Sequence, residues 1–252
     1  MPARDPSSFV AILVSLVACA ATPVEAAVLT STSFENEDLT TNNGFYFDLG
    51  DSLVDHDLIN NAGESPVDST ALTELTYDAS YRNTRSSVGL TDGDAVGVTN
   101  AISTVGAFTD GTQGYQMSDP DGLMSLSFAD VNIASMGSVM ISIDSFVNST
   151  TWETTDSYRV FATVDGSEID LLSTAGSDID DLGIEGSWMP LSTVVTGNLA
   201  SLTVELDSNS ADESIFVDNV VFETVSAIPE PGALPISLIA LAAIHHRNRR
   251  RS

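Results

Sequence analysis

The stretch "SVMISIDSFV", residues 138–147, places Val139, Ile141 and Ile143 at every second position, with Ser142 between the last two and Asp144 after them. That alternation is the period of a β-strand with one face buried, since successive side chains point to opposite sides of a sheet. Outward from it the same rhythm returns. It appears in "AVGVTN" from Ala95, "LMSLSFADV" from Leu123 and "YRVFATVD" from Tyr158. "WMPLSTVV" from Trp188, "LASLTVELDS" from Leu199 and "SIFVDNVVFE" from Ser214 continue it. Between these runs lie turn-forming clusters: "TDGD", "TDGTQG", "SDPDG", "VDGSE" and "LDSNSADES". There is no amphipathic helical period and no strand–helix–strand rhythm, so the expected fold is an all-β antiparallel sandwich. Residues 53–87 are less regular and read as long loops with a short strand or helical turn. No repeat or linker divides the body, which is expected to be one domain over 28–226.

Charge is distributed unevenly. The 252 residues carry 36 acids against eight arginines and no lysine, a formal net charge of −28. All but three acids lie in the body, where Arg82, Arg85 and Arg159 are the only basic residues. Such a surface repels phosphate backbones, so no nucleic-acid partner is expected. Three readings of this acidity stand: solubility in salty surroundings, divalent-cation binding by clustered carboxylates, and disorder, against which 42% hydrophobic residues and the alternating strands argue. The one cysteine, Cys19, lies outside the body, which excludes a disulfide, a zinc–thiolate site or a cysteine nucleophile there.

The ends read as export signals. Arg4 precedes the apolar "FVAILVSLVACAA", residues 9–21, and Val24 and Ala26 stand at −3 and −1 of a cleavage point after Ala26. This is the pattern of a signal peptide over 1–26, expected as an N-terminal signal helix that engages the export machinery and signal peptidase. Leu16-Val17-Ala18-Cys19 also fits a lipobox, which would make Cys19 a lipidated first residue; both readings stay open. At the far end, Pro229-Glu230-Pro231 is followed by an apolar run, 232–244, and then by Arg247, Arg249, Arg250 and Arg251. The prolines hold the motif extended, the apolar run partitions into the membrane, and the arginines stay on the cytoplasmic side. About 13 residues is short for a permanent span, where roughly 20 are needed, so the hydrophobic C-terminal helix suits a transient stop.

Residues 228–252 resemble a PEP-CTERM sorting signal. The resemblance implies a substrate of an exosortase-like membrane protease, exported to the envelope or beyond by a bacterium that makes extracellular polysaccharide. A plain tail anchor is the alternative. Two further signatures sit at opposite ends of the body, Phe34-Glu35-Asn36 and Asp218-Asn219-Val220-Val221. Together they resemble jelly-roll, galactose-binding-like sandwiches found among carbohydrate-binding modules. That resemblance implies neighbouring first and last strands, with Glu35 and Asp218 as ligands of a structural Ca2+; the alternative is that Asp218 caps a turn and Glu35 is solvated.

"LTDGD", residues 90–94, and "DPDG", residues 119–122, look like calcium loops, but Met124 stands where an EF-hand starting at Asp119 needs its glycine. Asp-Gly pairs between strands are ordinary turn chemistry, and "DIDDLGIEG" from Asp178 reads as a solvated loop. His56 is the only body histidine, with no GxSxG elbow to accompany it. No motif selects a carboxylate pair for glycoside hydrolysis, so the chain is not expected to be an enzyme. Sugar binding needs exposed aromatic faces beside polar groups. Trp152 and Tyr115 are the candidate ligand-binding residues, with Tyr77, Tyr81, Arg82 and Arg85 as further possibilities and core packing as the alternative for each aromatic. The expected function is a non-catalytic surface or matrix protein associated with extracellular polysaccharide. Carbohydrate recognition through exposed aromatics is the first alternative and a secreted glycan-active hydrolase the second.

Overall fold

The computed structural model describes residues 26–39, 45–70, 72–83 and 88–225. Both sorting segments, the lipobox and Arg85 lie outside the described residues. Among those described, no helix is long and apolar enough to cross a membrane.

Among the described residues, fifteen strands follow one another. The first nine are β1 (Val28–Thr32), β2 (Phe45–Tyr46), β3 (His56–Asp57), β4 (Tyr77–Arg82), β5 (Asp94–Ala95), β6 (Gly97–Thr99), β7 (Gly114–Ser118), β8 (Gly122–Phe128) and β9 (Val131–Asn132). Then come β10 (Val139–Val147), β11 (Ser157–Val164), β12 (Ser167–Ser173), β13 (Trp188–Val195), β14 (Leu199–Ser208) and β15 (Ser214–Thr224). They form two antiparallel sheets, β13-β10-β15-β7-β6 and β12-β11-β14-β8-β4-β3, plus a ribbon, β2-β5. Inward side chains of the two main sheets meet in one core, in which Ile141, Ile143, Val204, Leu206 and Val217 are almost wholly buried. The expected all-β sandwich is the observed fold.

Alternation marks β10 and β14 because each has one buried and one half-open face over most of its length, whereas Ser214–Asp218 of β15 is buried throughout. β14 shows this along its whole length, with Ala200, Leu202, Val204 and Leu206 inside and the residues between them half exposed. Pro190 is tolerated because β13 is an edge strand, where a missing N–H breaks no inner ladder. The run from Ala95 breaks into two short strands, and Tyr77–Arg82, within the irregular stretch, pairs with β8 in the second sheet.

One feature of the topology governs the rest. β15 is an eleven-residue strand with two partners along the same edge: β7 pairs with Ser214–Val217, and β1 with Val220–Glu223. The first and last strands are therefore neighbours. Asp218 and Asn219 fall in the gap between those partners, and Asn219 takes a left-handed φ of 51°, so the ladder with β10 shifts register there.

Candidate functional site

Asp218 is fully buried in that gap. Its Oδ2 accepts from the Thr109 N–H at 2.8 Å, the Asp110 N–H at 2.8 Å and the Thr109 hydroxyl at 3.1 Å, while Oδ1 accepts from the Asn219 N–H at 2.7 Å. Burial nevertheless pushes its carboxyl up to about 6, against the pull of those donors. Glu35, just beyond β1, accepts from the Thr112 and Gln113 N–H groups, both at 2.6 Å. Gly111, at φ 79°, has no side chain to block that carboxylate. The two acids therefore reach the same segment, 109–113, from its two ends.

This corrects the expected role of Glu35 and Asp218. A hard cation needs oxygen acceptors directed at it. Here the partners of both carboxylates are N–H and O–H donors, which repel a cation and suit an anion. The residues present do not fit a shared calcium; they staple a loop. Residues 100–113 cross the outer face of the first sheet as a strap, tied further by the Trp188 indole N–H, which donates to the Ala107 carbonyl at 2.8 Å. Beneath the strap a second small core gathers Val105, Phe108, Phe146 and Phe216, with Trp188 packed beside it.

The expected aromatic platforms are also corrected. Trp152 is 2% exposed and its indole N–H donates to the Asn148 carbonyl at 3.1 Å. Tyr115 has no exposed surface, and its hydroxyl donates to the Val67 carbonyl at 3.0 Å. Tyr77 and Tyr81 are equally buried. The indole N–H of Trp152 and the hydroxyls of Tyr115 and Tyr81 find backbone acceptors there, which removes the cost of burying them, whereas the Tyr77 hydroxyl is enclosed without a hydrogen-bond partner. Arg82 is exposed at the end of β4.

Among the described residues, the large aromatics that face solvent are Phe45, 56% exposed, and Phe47, 43% exposed. Phe45 stands across from Ala95 in the β2-β5 ribbon and forms one wall of a cleft of about 180 Å³. The remaining wall combines Thr99, Ser103, Thr104 and Gln116 with Phe216 at the base. Sequence reading missed it because Phe45 lies in a two-residue strand with no visible period.

His56 is held by acceptors on both ring nitrogens, Asp48 Oδ2 at 2.7 Å and the Val54 carbonyl at 2.7 Å. Despite partial burial, which lowers it, these partners raise its pKa overall.

Elsewhere, at the start of β15, Glu213 is 2% exposed and packs against Asp156, also 2% exposed. Burial, with the charges of Asp156 and Glu153 adding to it, pushes Glu213 up to about 7. The folded chain thus holds a proton that the unfolded chain has released above its ordinary value of 4.5, so stability falls as pH rises between those values. Glu213→Gln is expected to stabilise by about 1–2 kcal/mol at pH 8 and by nothing below about pH 4.5. Melting curves across pH check this, and a gain that grew on acidification would contradict it.

No family model matches the chain, and no curated protein matches it. Among solved structures, the chain is similar to TmCBM61 in complex with β-1,4-galactotriose, with a TM-score of 0.35 and 14% identity over 51% of this chain and 81% of that one. It is similar to the xylan-binding module CBM15 at a TM-score of 0.34 and 10% identity, covering 70% and 98%. It is also similar to the tandem CBM51 modules of Sp3GH98, a family 98 glycoside hydrolase from Streptococcus pneumoniae SP3-BS71. There the TM-score is 0.32 and the identity 12%, covering 81% and 49%.

Proposed function

We propose that this chain is a non-catalytic, extracellular glycan-binding protein that holds a neutral polysaccharide in the cleft between Phe45 and Gln116. The observation that carries the reading is an exposed aromatic ring beside a row of neutral hydroxyl and amide groups, the combination a pyranose needs for stacking and hydrogen bonding. The cleft is smaller than the roughly 300 Å³ of an engulfing pocket, which suits one ring of a long chain lying across the surface. A net charge of −28 disfavours uronic-acid polymers as it does nucleic acids, and so favours a neutral glycan.

The ends fit this role. In this reading the signal segment exports the chain, and an exosortase-like protease acts at Pro229-Glu230-Pro231 while Arg247, Arg249, Arg250 and Arg251 hold the tail at the membrane. The mature body then sits in the envelope or its surrounding polysaccharide.

Affinity electrophoresis of the full chain through gels containing neutral polysaccharides tests the binding. Retardation by at least one polymer is expected, with Phe45→Ala weakening it at least tenfold, since loss of a stacked ring costs about 1–3 kcal/mol. The melting temperature of that variant should move little because the ring is largely exposed. An unretarded wild type, or a Phe45→Ala variant that binds equally well, would refute the assignment, and release of reducing sugar would replace it with a hydrolase.

A further inference from the structure

The aromatic surface of the ribbon continues past the cleft. Phe45, Phe47 and Leu49 are exposed, while Tyr46 and Asp48 between them are buried, so the three face outward on one side of an extended segment. The β2-β5 register sets Phe45 opposite Ala95 and Tyr46 opposite Asp94, and one further step sets Phe47 opposite Gly93. Phe45, Phe47, Ala95 and Gly93 therefore share one face of the ribbon. The two rings stand two residues apart, about 6.6 Å along an extended chain, a spacing of the order of one pyranose unit. A second cavity, of about 330 Å³, continues the cleft, sharing Phe45 and Ala95 and adding Gly93 and Ser118.

Phe47 is held in place from both sides. Its N–H donates to Glu64 Oε2 at 3.0 Å, and its carbonyl accepts from the Asn61 side-chain amide at 2.8 Å. Asn61 also donates to Glu64 at 3.0 Å, which ties the two holders together. Across the ribbon the tip of the ring rests on Gly93, where an added Cβ would stand 2.5 Å from the ring Cζ. Gly93 sits at φ 98°, a backbone state open to glycine at no steric cost. The part of the ring left in water is thus a preformed surface, and covering a fixed aromatic costs little entropy. We propose that Phe47 is a second sugar platform, so that the ribbon binds consecutive residues of a linear neutral glycan from Phe45 towards Phe47. This rests on the glycan reading of the Phe45 cleft and adds the class of polymer, an unbranched chain gripped along its length rather than at its end. Asp92 and Asp119 at the margin of the second cavity can accept from sugar hydroxyls, and their charge repels the anionic headgroups of a lipid surface.

Isothermal titration of the full chain with xylo-, cello-, manno- and galacto-oligosaccharides of one to six units tests it, alongside affinity gels containing the soluble parent polymers. For the series whose polymer retards the chain, affinity is expected to rise at least about tenfold between one unit and three, then to level off. Phe47→Ala should lose most of that rise. Phe47→Leu should lose it equally, since it keeps apolar bulk without a ring, and Phe47→Tyr should restore it. Phe45→Ala should weaken binding at every length. Leu53→Ala, which removes an exposed apolar side chain outside the ribbon, should change nothing. A rise with length kept in Phe47→Ala, with Phe45→Ala still defective, would overturn the second platform and leave the cleft reading standing. So would a loss in Leu53→Ala equal to that in Phe47→Ala, which would mark a general apolar surface. A wild type retarded by none of the polymers would refute the cleft reading and the second platform with it.

Discussion

Asp218→Ala is expected to lower stability by about 3–5 kcal/mol, or roughly 10 °C in melting temperature. Removing the carboxylate orphans the N–H groups of Thr109, Asp110 and Asn219 and the Thr109 hydroxyl. Each unsatisfied buried donor costs about 1–3 kcal/mol, and the loop can recover part of that only by opening to water. An opposing effect reduces the total. Burial holds the Asp218 carboxyl up at about 6, so the ionised group is itself destabilising at neutral pH and its loss returns some energy. Asp218→Asn separates the two, since it removes the charge but keeps one acceptor, and should cost about half as much. Because the strap also supplies Ser103 and Thr104 to the cleft, Asp218→Ala should loosen glycan binding and expose residues 100–113 to protease. An alanine variant as stable as the wild type would show that the strap holds without its staple.

The second large effect belongs to Trp152. Truncating an indole that is 2% exposed leaves a cavity the surrounding sandwich cannot fill, and Trp152→Ala should cost about 3–5 kcal/mol. Its signature differs from that of Phe45→Ala. The tryptophan variant should melt roughly 10 °C lower and keep wild-type glycan affinity in whatever fraction is folded; the phenylalanine variant should do the reverse. Denaturation and binding measured on both proteins decide the matter. A Trp152→Ala variant that melts normally and loses binding would restore the tryptophan as the sugar platform.

The contrast between those two rings shows what the sequence could reveal. "STTWETTD" surrounds Trp152 with polar residues, which suggests an exposed loop. What buries it is remote: the Asp178–Asp181 turn folds back, and Asp180 accepts the Trp152 backbone N–H at 3.1 Å. Local pattern carries no record of a cover contributed from about thirty residues away. β10 and β14 were legible because each has one wetter face along most of its length. β7 was not, because Tyr115 and Met117 enter the core while Gln116 is itself half covered, so the alternation is blurred. β12, on the open edge of its sheet, exposes most of its residues and lost the pattern for the opposite reason.

The pairing of Glu35 with Asp218 was legible in outline, since first and last strands of such a sandwich are neighbours. Their chemistry was not. The N–H groups that claim both carboxylates come from residues 109–113, about 75 positions beyond Glu35 and 105 or more before Asp218. Likewise Asp94 and Asp119 lie 25 positions apart in turns that each satisfy ordinary Asp-Gly chemistry, and only the fold sets them around one cavity.

In the proposed function the ribbon and strap form the glycan-binding face of the sandwich. Hydrogen exchange of the full chain, with and without the retarding polysaccharide, addresses it most directly. Protection confined to the backbone around Phe45, residues 99–104 and residues 114–118 is the predicted result. Protection on the opposite sheet, around β11 and β12, or none at all under saturating polymer, would contradict it.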